Sequence, residues 1–263
     1  MSTRRRRKVV LATARMLSPS VRSLVFRVED DEPFAFEAGQ YVDVYAPIES
    51  GMVFKRPYSI ASSPSPPPSS SSPESARRPV EIEIAVTRVE GGPLSTALHA
   101  MPIGARAEVE GPAGVFTRRD GPDDPLLFVA TGTGLAPLRS MLGVEMQSAS
   151  RAAGSRSIAV LFGCRTEADL LWGEELRAWA DASALRLEVT LSRPSLAWQE
   201  QGGRTGYVQA HVAEIARSLD ATGAGGRAHA YVCGLSRMVD DVVRTLQTEL
   251  GFDRDRVHYE IYD

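Results

Sequence analysis

The sequence has few cysteines, little excess charge and no long apolar run. Its two cysteines, Cys164 and Cys233, lie far apart, so they form neither a CxxC pair nor a zinc site. An iron-sulfur cluster would need four thiolates, so any metal cluster is expected on another protein. The 30 Lys and Arg against 33 Asp and Glu give a net charge of −3, which argues against the broad positive field of a general nucleic-acid binder.

The basic start of the chain, MSTRRRRKVV, is not followed by the apolar segment that a signal peptide or a membrane span requires. We therefore expect a soluble cytoplasmic protein, a monomer with no membrane or nucleic-acid partner.

The pattern of apolar residues changes near Gly121, and 263 residues with 43% hydrophobic content are enough for two compact domains. We predict domains at residues 1–121 and 122–263. Before Gly121, short runs in which apolar and polar residues alternate are separated by Gly, Pro and Asp, which is typical of an antiparallel β-barrel. These runs are residues 8–16, 21–29, 41–45, 80–88 and 105–110. The stretch 64–79 is rich in Pro and Ser and predicts a flexible loop between strands.

After residue 121, apolar strand-like runs alternate with helical patterns, which predicts βαβ units and a parallel sheet. The strand-like runs are residues 126–131, 158–163, 185–191 and 229–233. The helical patterns are residues 137–147, 170–179, 208–219 and 237–250.

Two segments of the first domain have residues that suit a flavin dinucleotide. Arg56-Pro57-Tyr58-Ser59, which we place at the start of a strand, offers a planar fork for phosphate, a ring for stacking and a hydroxyl for a ring nitrogen. A second segment opens a short helix and offers glycine turns and N–H donors for a pyrophosphate; it contains Gly92, Leu94, Ser95 and Thr96. Taken alone, the first segment is about equally compatible with an ordinary strand that has a surface arginine and a core tyrosine, and the second is better explained as a glycine turn with a Ser/Thr cap.

The third segment begins the second domain, where the strand 126–131 runs into Gly132-Thr133-Gly134 and a helix with Pro137 in its first turn. This arrangement puts backbone donors at the carboxyl end of a parallel strand, where anionic dinucleotides bind in open α/β sheets. It is not the GxGxxG fingerprint, because Ala136-Pro137 replaces the later glycine.

These three segments, in this order, resemble the RxYS, flavin-pyrophosphate and GTGxxP motifs of the ferredoxin-NADP reductase family. Cys233-Gly234 after a late strand and the ending Glu260-Ile261-Tyr262-Asp263 extend the resemblance over nearly the whole chain. The resemblance implies an N-terminal FAD-binding antiparallel barrel and a C-terminal NAD(P)-binding α/β domain. It also implies hydride transfer from NADPH or NADH to flavin N5, followed by single-electron transfer to a ferredoxin or a similar small redox protein.

By the same resemblance, Arg56 and Ser95 would hold the FAD pyrophosphate, Tyr58 would stack on the isoalloxazine, and Ser59 would approach its N5. Cys233 would line the nicotinamide site, although a lone buried cysteine is commonly just a small hydrophobe. Glu260 would relay a proton or orient a group there, unless it is a solvated terminal carboxylate. Tyr262 would cover the flavin, unless its ring packs into the second domain's core.

The choice of nicotinamide cofactor depends on cations near the adenosine 2′-phosphate. Arg165 follows the second strand of this domain and Ser192-Arg193 follows the third, so both arginines are candidate partners for that phosphate. Ser192, Arg193 and Tyr207 resemble the set that NADPH-using relatives carry, which favours NADPH, with NADH still possible. The expected lysine is missing, because Thr205 stands two places before Tyr207.

Other electron acceptors and other roles stay open at this point. The same motifs suit an oxygenase reductase component, a free flavin reductase, or a non-catalytic flavin electron-transfer subunit. The basic run 4–8 would steer an acidic ferredoxin, although a charge run at a terminus is more often a solvated tail.

Overall fold

The computed structural model describes residues 5–30, 34–48, 50–64, 80–149, 156–182, 185–219 and 228–262. They group into two compact units. The first contains the described residues up to Thr117 together with Arg139–Val144, and the second contains Arg118–Leu138 and the described residues from Glu145 onward. The predicted loop 64–79 lies outside the described residues, apart from Pro64.

Six antiparallel strands form the first unit, in the order β4-β3-β6-β1-β2-β5. They are β1 (Arg6–Ser18), β2 (Val21–Val28), β3 (Tyr41–Pro47), β4 (Val53–Ser59), β5 (Glu81–Thr87) and β6 (Arg106–Ala113). A bridge between Ile60 and Ile84 joins the end of β4 to β5, the two outermost strands, and so closes the sheet. The prediction of an antiparallel barrel is confirmed.

Alternation along the strands builds the core of the barrel. In β2, the side chains of Leu24, Phe26 and Val28 are buried, whereas Arg27 between them is exposed. Full burial of a side chain such as Leu24 or Phe26 contributes about 1.5 to 3 kcal/mol.

One helix, α1 (Pro93–Ala100), follows β5, and its carboxyl end is held by Arg22 of β2. The Nη1 atom of Arg22 donates to the carbonyl oxygens of Leu98, His99 and Met101 at 2.9, 2.6 and 3.0 Å. These carbonyls belong to the end of the helix, where backbone acceptors have no partner within the helix. The guanidinium supplies those hydrogen bonds and also complements the negative end of the helix dipole.

The basic run at the start of the chain is partly built into β1. Arg6 lies 3.8 Å from the carboxylate of Glu110, and Arg7 lies 2.8 Å from that of Asp30. The expectation of a solvated tail therefore does not hold for Arg6 and Arg7, which belong to the barrel.

The second unit is a parallel sheet with the strand order β10-β9-β8-β7-β11-β12. Its strands are β7 (Leu126–Thr131), β8 (Ile158–Cys164), β9 (Leu185–Leu191), β10 (Arg204–Thr205), β11 (His229–Gly234) and β12 (Val257–Ile261). Its helices are α2 (Leu135–Ala149), α3 (Gly173–Ala182), α4 (Leu196–Glu200), α5 (Val212–Leu219) and α6 (Ser236–Arg244). The predicted α/β parallel sheet is confirmed, and the strand order reverses between β7 and β11, where ligands bind in such sheets.

Several predicted element boundaries were wrong. The helical pattern predicted over 208–219 is an α-helix only from Val212, after a 3₁₀ turn at Val208–Ala210. The motif Arg56 to Ser59 ends β4 rather than starting a strand, because the strand begins earlier at Val53. The third helix begins at Gly173 rather than at residue 170, because Leu170 is extended and Trp172 has a φ of 48°. Among the helices that the structure describes, none combines the length and the apolar character needed to cross a bilayer.

A buried ionic network lies in the second unit before β7. The side chain of Asp120 is fully buried and accepts hydrogen bonds from Arg118, Arg156 and the hydroxyl of Tyr231, the last at 2.8 Å. Both arginines also bind the carboxylate of Glu145. Since each charge has an opposite partner, the network offsets the cost of burying it.

Candidate cofactor-binding sites

The motif at the end of β4 combines an exposed cation with a half-buried ring. The side chains of Arg56 and Pro57 are exposed, Tyr58 packs partly against the barrel core, and Ser59 is buried. Arg56 donates one hydrogen bond, to the carbonyl of Lys55 at 2.8 Å, which leaves most of its guanidinium donors available.

The Tyr58 phenol stays neutral. Burial raises the pKa of Tyr58 to about 12, although the positive charge of Arg56 acts in the opposite direction. A neutral ring that is partly exposed on an outermost strand presents a flat apolar face to a ligand.

The glycine turn before α1 is closed by Ser95. Its hydroxyl donates to the carbonyl oxygen of Gly92 at 3.1 Å and accepts from the N–H of Val89 at 3.2 Å, and the side chain is buried. A Cβ on Gly92 would lie 2.7 Å from this hydroxyl, so the turn has no room for a larger residue. Ser95 therefore shapes the turn, whereas Thr96 is exposed and Leu94 anchors the helix in the core.

These observations fit a flavin dinucleotide. The N-terminus of α1 has N–H groups without acceptors inside the helix, which is a seat for phosphate. Because α1 packs against β3, β4 and β5, this seat and the exposed guanidinium of Arg56 belong to neighbouring elements. The predicted residues of the two motifs therefore lie on β4 and at the start of α1, two elements that pack against each other; they are Arg56, Pro57, Tyr58, Ser59, Gly92, Leu94, Ser95 and Thr96.

In the second unit, the turn Gly132–Gly134 between β7 and α2 lies directly against β11. A Cβ on Gly134 would lie 2.3 Å from the carbonyl oxygen of Cys233 and 2.9 Å from the nitrogen of Gly234. The third motif and the late Cys-Gly pair are therefore in backbone contact. Thr133 is half-buried in the turn, and Pro137 is buried in the first turn of α2, as the pattern predicts.

Sequence reasoning missed Thr131, the last residue of β7. Its hydroxyl oxygen is buried and has no hydrogen-bond partner among the described residues. Glycines flank it on both neighbouring strands, since a Cβ on Gly163 or on Gly234 would meet the Thr131 side chain at 3.2 or 2.3 Å. A buried hydroxyl without a partner at the carboxyl end of the central strand fits a polar ligand there, such as a nicotinamide dinucleotide.

Cys233, the last residue but one of β11, has a buried and protonated thiol. Burial raises the pKa of Cys233 well above its usual value, and the negative charge of Glu260 adds to this, while a hydrogen bond with Tyr262 acts against it. Glu260 lies opposite Cys233 in the pairing of β11 with β12. The N–H of Tyr262 donates to the carbonyl of Gly234 at 2.8 Å, so Tyr262 is half-buried beside the thiol rather than packed deep in a core. The structure thus brings Cys233, Gly234, Glu260 and Tyr262 together.

At the proposed adenosine end of the site lie two arginines whose side chains form no ion pair with any described residue. The N–H of Arg193 donates to the carbonyl of Arg165 at 2.7 Å, which places the two residues side by side after β9 and β8. Both side chains are exposed, and neither has an ion pair with any described residue. Ser192 precedes Arg193, and Tyr207 is 69% exposed, so its ring is accessible to a ligand.

Arg204 does not stand in for the missing lysine. Its guanidinium binds the carboxylates of Glu214 and Glu188 at 2.6 and 2.7 Å. The hydrogen bonds that Arg204 donates to these two carboxylates raise the pKa of Arg204, so its charge is already neutralised by neighbours in the same unit.

Two family models match the chain in sequence order. The model described as the oxidoreductase FAD-binding domain matches residues 8–117. The model described as the oxidoreductase NAD-binding domain matches residues 128–244. The first falls on the barrel and the second on the parallel sheet.

Curated relatives match the chain over almost all of its length. Ferredoxin--NADP reductase B of Sorangium cellulosum (strain So ce56) is 44% identical over 254 residues, which is 96% of each chain. The phenol hydroxylase P5 protein of Acinetobacter pittii (strain PHEA-2) is 31% identical over 93% of this chain, which spans 62% of that relative's length.

Solved structures share the fold. The flavohem-like FAD/NAD-binding domain of nitric oxide dioxygenase from Vibrio cholerae O1 biovar El Tor gives a TM-score of 0.78 at 19% identity, covering 97% of this chain and 98% of that one. A ferredoxin NADP+ reductase from Neisseria gonorrhoeae, solved with bound FAD and NADP, gives a TM-score of 0.71 at 16% identity, covering 99% of both chains.

Proposed function

Because the chain belongs to the ferredoxin-NADP reductase family of FAD- and NAD-binding oxidoreductases, we propose that it takes electrons from NAD(P)H and passes them singly to a separate ferredoxin-like protein. The observation that carries the proposal is the backbone contact of Gly134 with Cys233 and Gly234, next to the buried hydroxyl of Thr131, which has no hydrogen-bond partner among the described residues. The acceptor is proposed to be separate because two cysteines are too few for an iron-sulfur cluster.

In the barrel, which we assign to residues 1–121, Arg56 would pair with a phosphate of FAD and the first turn of α1 would bind the pyrophosphate. Tyr58 would pack its neutral ring on the flavin, and Ser59 would hydrogen-bond it. Ser95 would act by holding the turn at Gly92 in shape, since its hydroxyl is bonded within that turn. Bound FAD supplies a group that takes up two electrons together and releases them one at a time.

In residues 122–263, the glycine turn would bind the dinucleotide backbone, with Thr131 donating or accepting one hydrogen bond. Cys233 would present a neutral thiol surface to the nicotinamide, because its raised pKa keeps it protonated. Glu260 would hold or relay a proton beside it. Tyr262 would cover the flavin until the nicotinamide displaces its ring. The free thiols Cys164 and Cys233 suit a reducing compartment, which supports a cytoplasmic location, and we propose that the protein acts there as a monomer.

The proposed reaction has a direct test in the purified yellow protein. We expect noncovalent FAD, rapid bleaching of the flavin absorbance on anaerobic mixing with NADPH, and recovery of that absorbance when oxidised ferredoxin is added. Stopped-flow absorbance measures both steps, and chromatography after denaturation identifies the flavin. Recovery of FMN alone, or no bleaching by NADPH or NADH, would contradict the proposal.

A second candidate acceptor is the oxygenase of a reductase–oxygenase pair. The observation that favours it is the 31% identity to the phenol hydroxylase P5 protein. Reoxidation by an oxygenase component at a rate that ferredoxin does not reach would support this alternative, and faster reoxidation by free flavin would identify a flavin reductase.

We propose that NADPH is preferred, because Arg165 and Arg193 are joined by a backbone hydrogen bond, their side chains are exposed with no acid partner among the described residues, and guanidiniums suit the 2′-phosphate. Arg193→Ala is expected to raise the KM for NADPH by about 10- to 100-fold, the equivalent of about 1.5 to 3 kcal/mol for a charged hydrogen bond. The KM for NADH should stay almost unchanged. Steady-state kinetics with each cofactor in turn measures the two KM values.

The matched control for this variant is Arg217→Ala, which removes an exposed arginine on α5. It should leave both KM values unchanged. An equal rise in the KM for NADPH and for NADH in Arg193→Ala would show that the arginine does not select the 2′-phosphate.

A further inference from the structure

We propose that Glu167 and Ser195 form a clasp that positions Arg193 beside Arg165 and thereby sets the selectivity for NADPH over NADH. The inference rests on the proposed 2′-phosphate site and names a pair of residues that touch no ligand themselves. Glu167 and Ser195 are positioning residues, which act through the two arginines.

The two loops that carry these arginines run side by side beyond the sheet. The N–H of Ser192 donates to the carbonyl of Cys164 at 3.1 Å, and the N–H of Arg193 donates to that of Arg165 at 2.7 Å. These bonds continue the parallel pairing of β8 with β9 past the end of the strands. The backbones of the two arginines are therefore held in register.

The clasp joins the two loops just beyond these backbone hydrogen bonds. The backbone N–H and the hydroxyl of Ser195 both donate to Oε1 of Glu167, at 3.1 and 2.5 Å. The loop of Glu167 is held from within, because Thr166 donates through its backbone and hydroxyl to Asp169 at 3.1 and 2.8 Å. The carboxylate therefore ties the segment after Arg193 to a loop with its own internal support.

Selectivity requires this support because a phosphate held by two guanidiniums needs both at a fixed spacing. An arginine side chain has considerable rotamer freedom, so the position of its backbone limits which geometries it can reach. If the bonds to Ser195 were lost, the segment after Arg193 would be free to move relative to Arg165, and the two cations would meet the phosphate together less often.

The charge of Glu167 allows two possible effects of this residue on phosphate binding to be tested separately. Hydrogen bonds from Ser195 lower the pKa of Glu167, so the group is an anion when it accepts them. An anion near a phosphate site is unfavourable in itself. Glutamine keeps an acceptor oxygen for Ser195 but removes the charge, whereas alanine removes both, so the two variants separate support of the loop from electrostatic repulsion.

The experiment titrates the intact flavoprotein with 2′,5′-ADP and with 5′-AMP by isothermal titration calorimetry. We expect Glu167→Ala to raise the Kd for 2′,5′-ADP about fivefold, which corresponds to one lost net hydrogen bond, and to change the Kd for 5′-AMP by less than about twofold. Glu167→Gln should bind 2′,5′-ADP at least as tightly as the parent protein. Ser195→Ala, which keeps the backbone bond, should show a smaller rise in the same direction.

Arg193→Ala separates failure of the clasp from failure of the site. If Arg193→Ala loses 2′,5′-ADP affinity but Glu167→Ala and Ser195→Ala do not, the clasp is overturned and the phosphate site stands. If Glu167→Gln loses as much affinity as Glu167→Ala, the clasp is also overturned. If Arg193→Ala itself binds 2′,5′-ADP normally, the proposed phosphate site fails, and the clasp fails with it.

Discussion

Replacing Gly134 with alanine is expected to slow reduction of the flavin by NAD(P)H by about 100-fold while leaving FAD bound. The added Cβ would lie 2.3 Å from the carbonyl oxygen and 2.6 Å from the carbonyl carbon of Cys233. Both are backbone atoms, so the turn must move away from β11. Overpacking of this kind costs about 1 to 3 kcal/mol, and about 3 kcal/mol of lost binding corresponds to the expected factor.

Gly132→Ala is the matched control, since it lies in the same turn with nothing within 4 Å of its would-be Cβ. Its φ of 53° is left-handed, so alanine there costs about 1 to 2 kcal/mol of strain without a clash. Anaerobic stopped-flow absorbance gives the reduction rates, and the flavin content of the purified variants shows whether FAD is retained. Equal rates for the two variants would mean that contact with Cys233 is not what positions the dinucleotide.

Asp120→Asn is expected to lower the free energy of unfolding of the second unit by about 3 to 5 kcal/mol, because it leaves the two guanidiniums with Glu145 as their one shared anion and so one positive charge of the network uncompensated. The three tryptophans of the sequence, Trp172, Trp179 and Trp198, all belong to the second unit, so their fluorescence during denaturant unfolding reports on it alone. Asp253→Asn is the control, since the Asp253 side chain is 75% exposed and its contact with Arg256 is 3.9 Å long. That control should lose less than about 1 kcal/mol.

The same network makes stability depend on acid pH. Burial by itself would raise the pKa of Asp120, but hydrogen bonds and charge from Arg118, with further bonds from Tyr231 and Arg156, hold it well below the usual value. A carboxyl whose pKa is depressed in the folded state stabilises fully above its unfolded value of about 4 and loses that contribution as the pH falls further. The parent protein should therefore destabilise more steeply below about pH 4 than Asp120→Asn. Parallel pH profiles would contradict this assignment.

The fold could be predicted because it depends on patterns that are local in the sequence. Alternation in the first half and the βαβ rhythm in the second each reflect the period of one element, and the apolar runs 126–131 and 185–191 coincide with β7 and β9. The three motifs were also recognisable, because glycines and a proline at fixed spacing mark a turn whatever surrounds it.

What could not be predicted depends on side-chain contacts that the motifs do not reveal. The hydroxyl of Ser95 turns inward to Val89 and Gly92, so residue type alone misjudged how available it is to a ligand. Arg204 is bound by Glu188 and Glu214, which lie on other elements of the second unit. The hydroxyl of Thr131 has no hydrogen-bond partner among the described residues, because glycines stand beside it on β8 and β11. No spacing in the sequence signals such an arrangement, since it follows from the strand order.

Arg22 donates hydrogen bonds to three carbonyl oxygens at the end of α1, and these bonds affect how the flavin binds. A helix of two turns is marginal in water by itself, because nucleating a helix costs more than so few hydrogen bonds return. With its carboxyl end bonded to β2, this helix is already ordered before any phosphate arrives at its other end. Binding of the flavin then does not include the entropic cost of ordering a helix, and the phosphate meets a preorganised set of N–H donors. Affinity at one end of α1 thus depends on a cation at the opposite end.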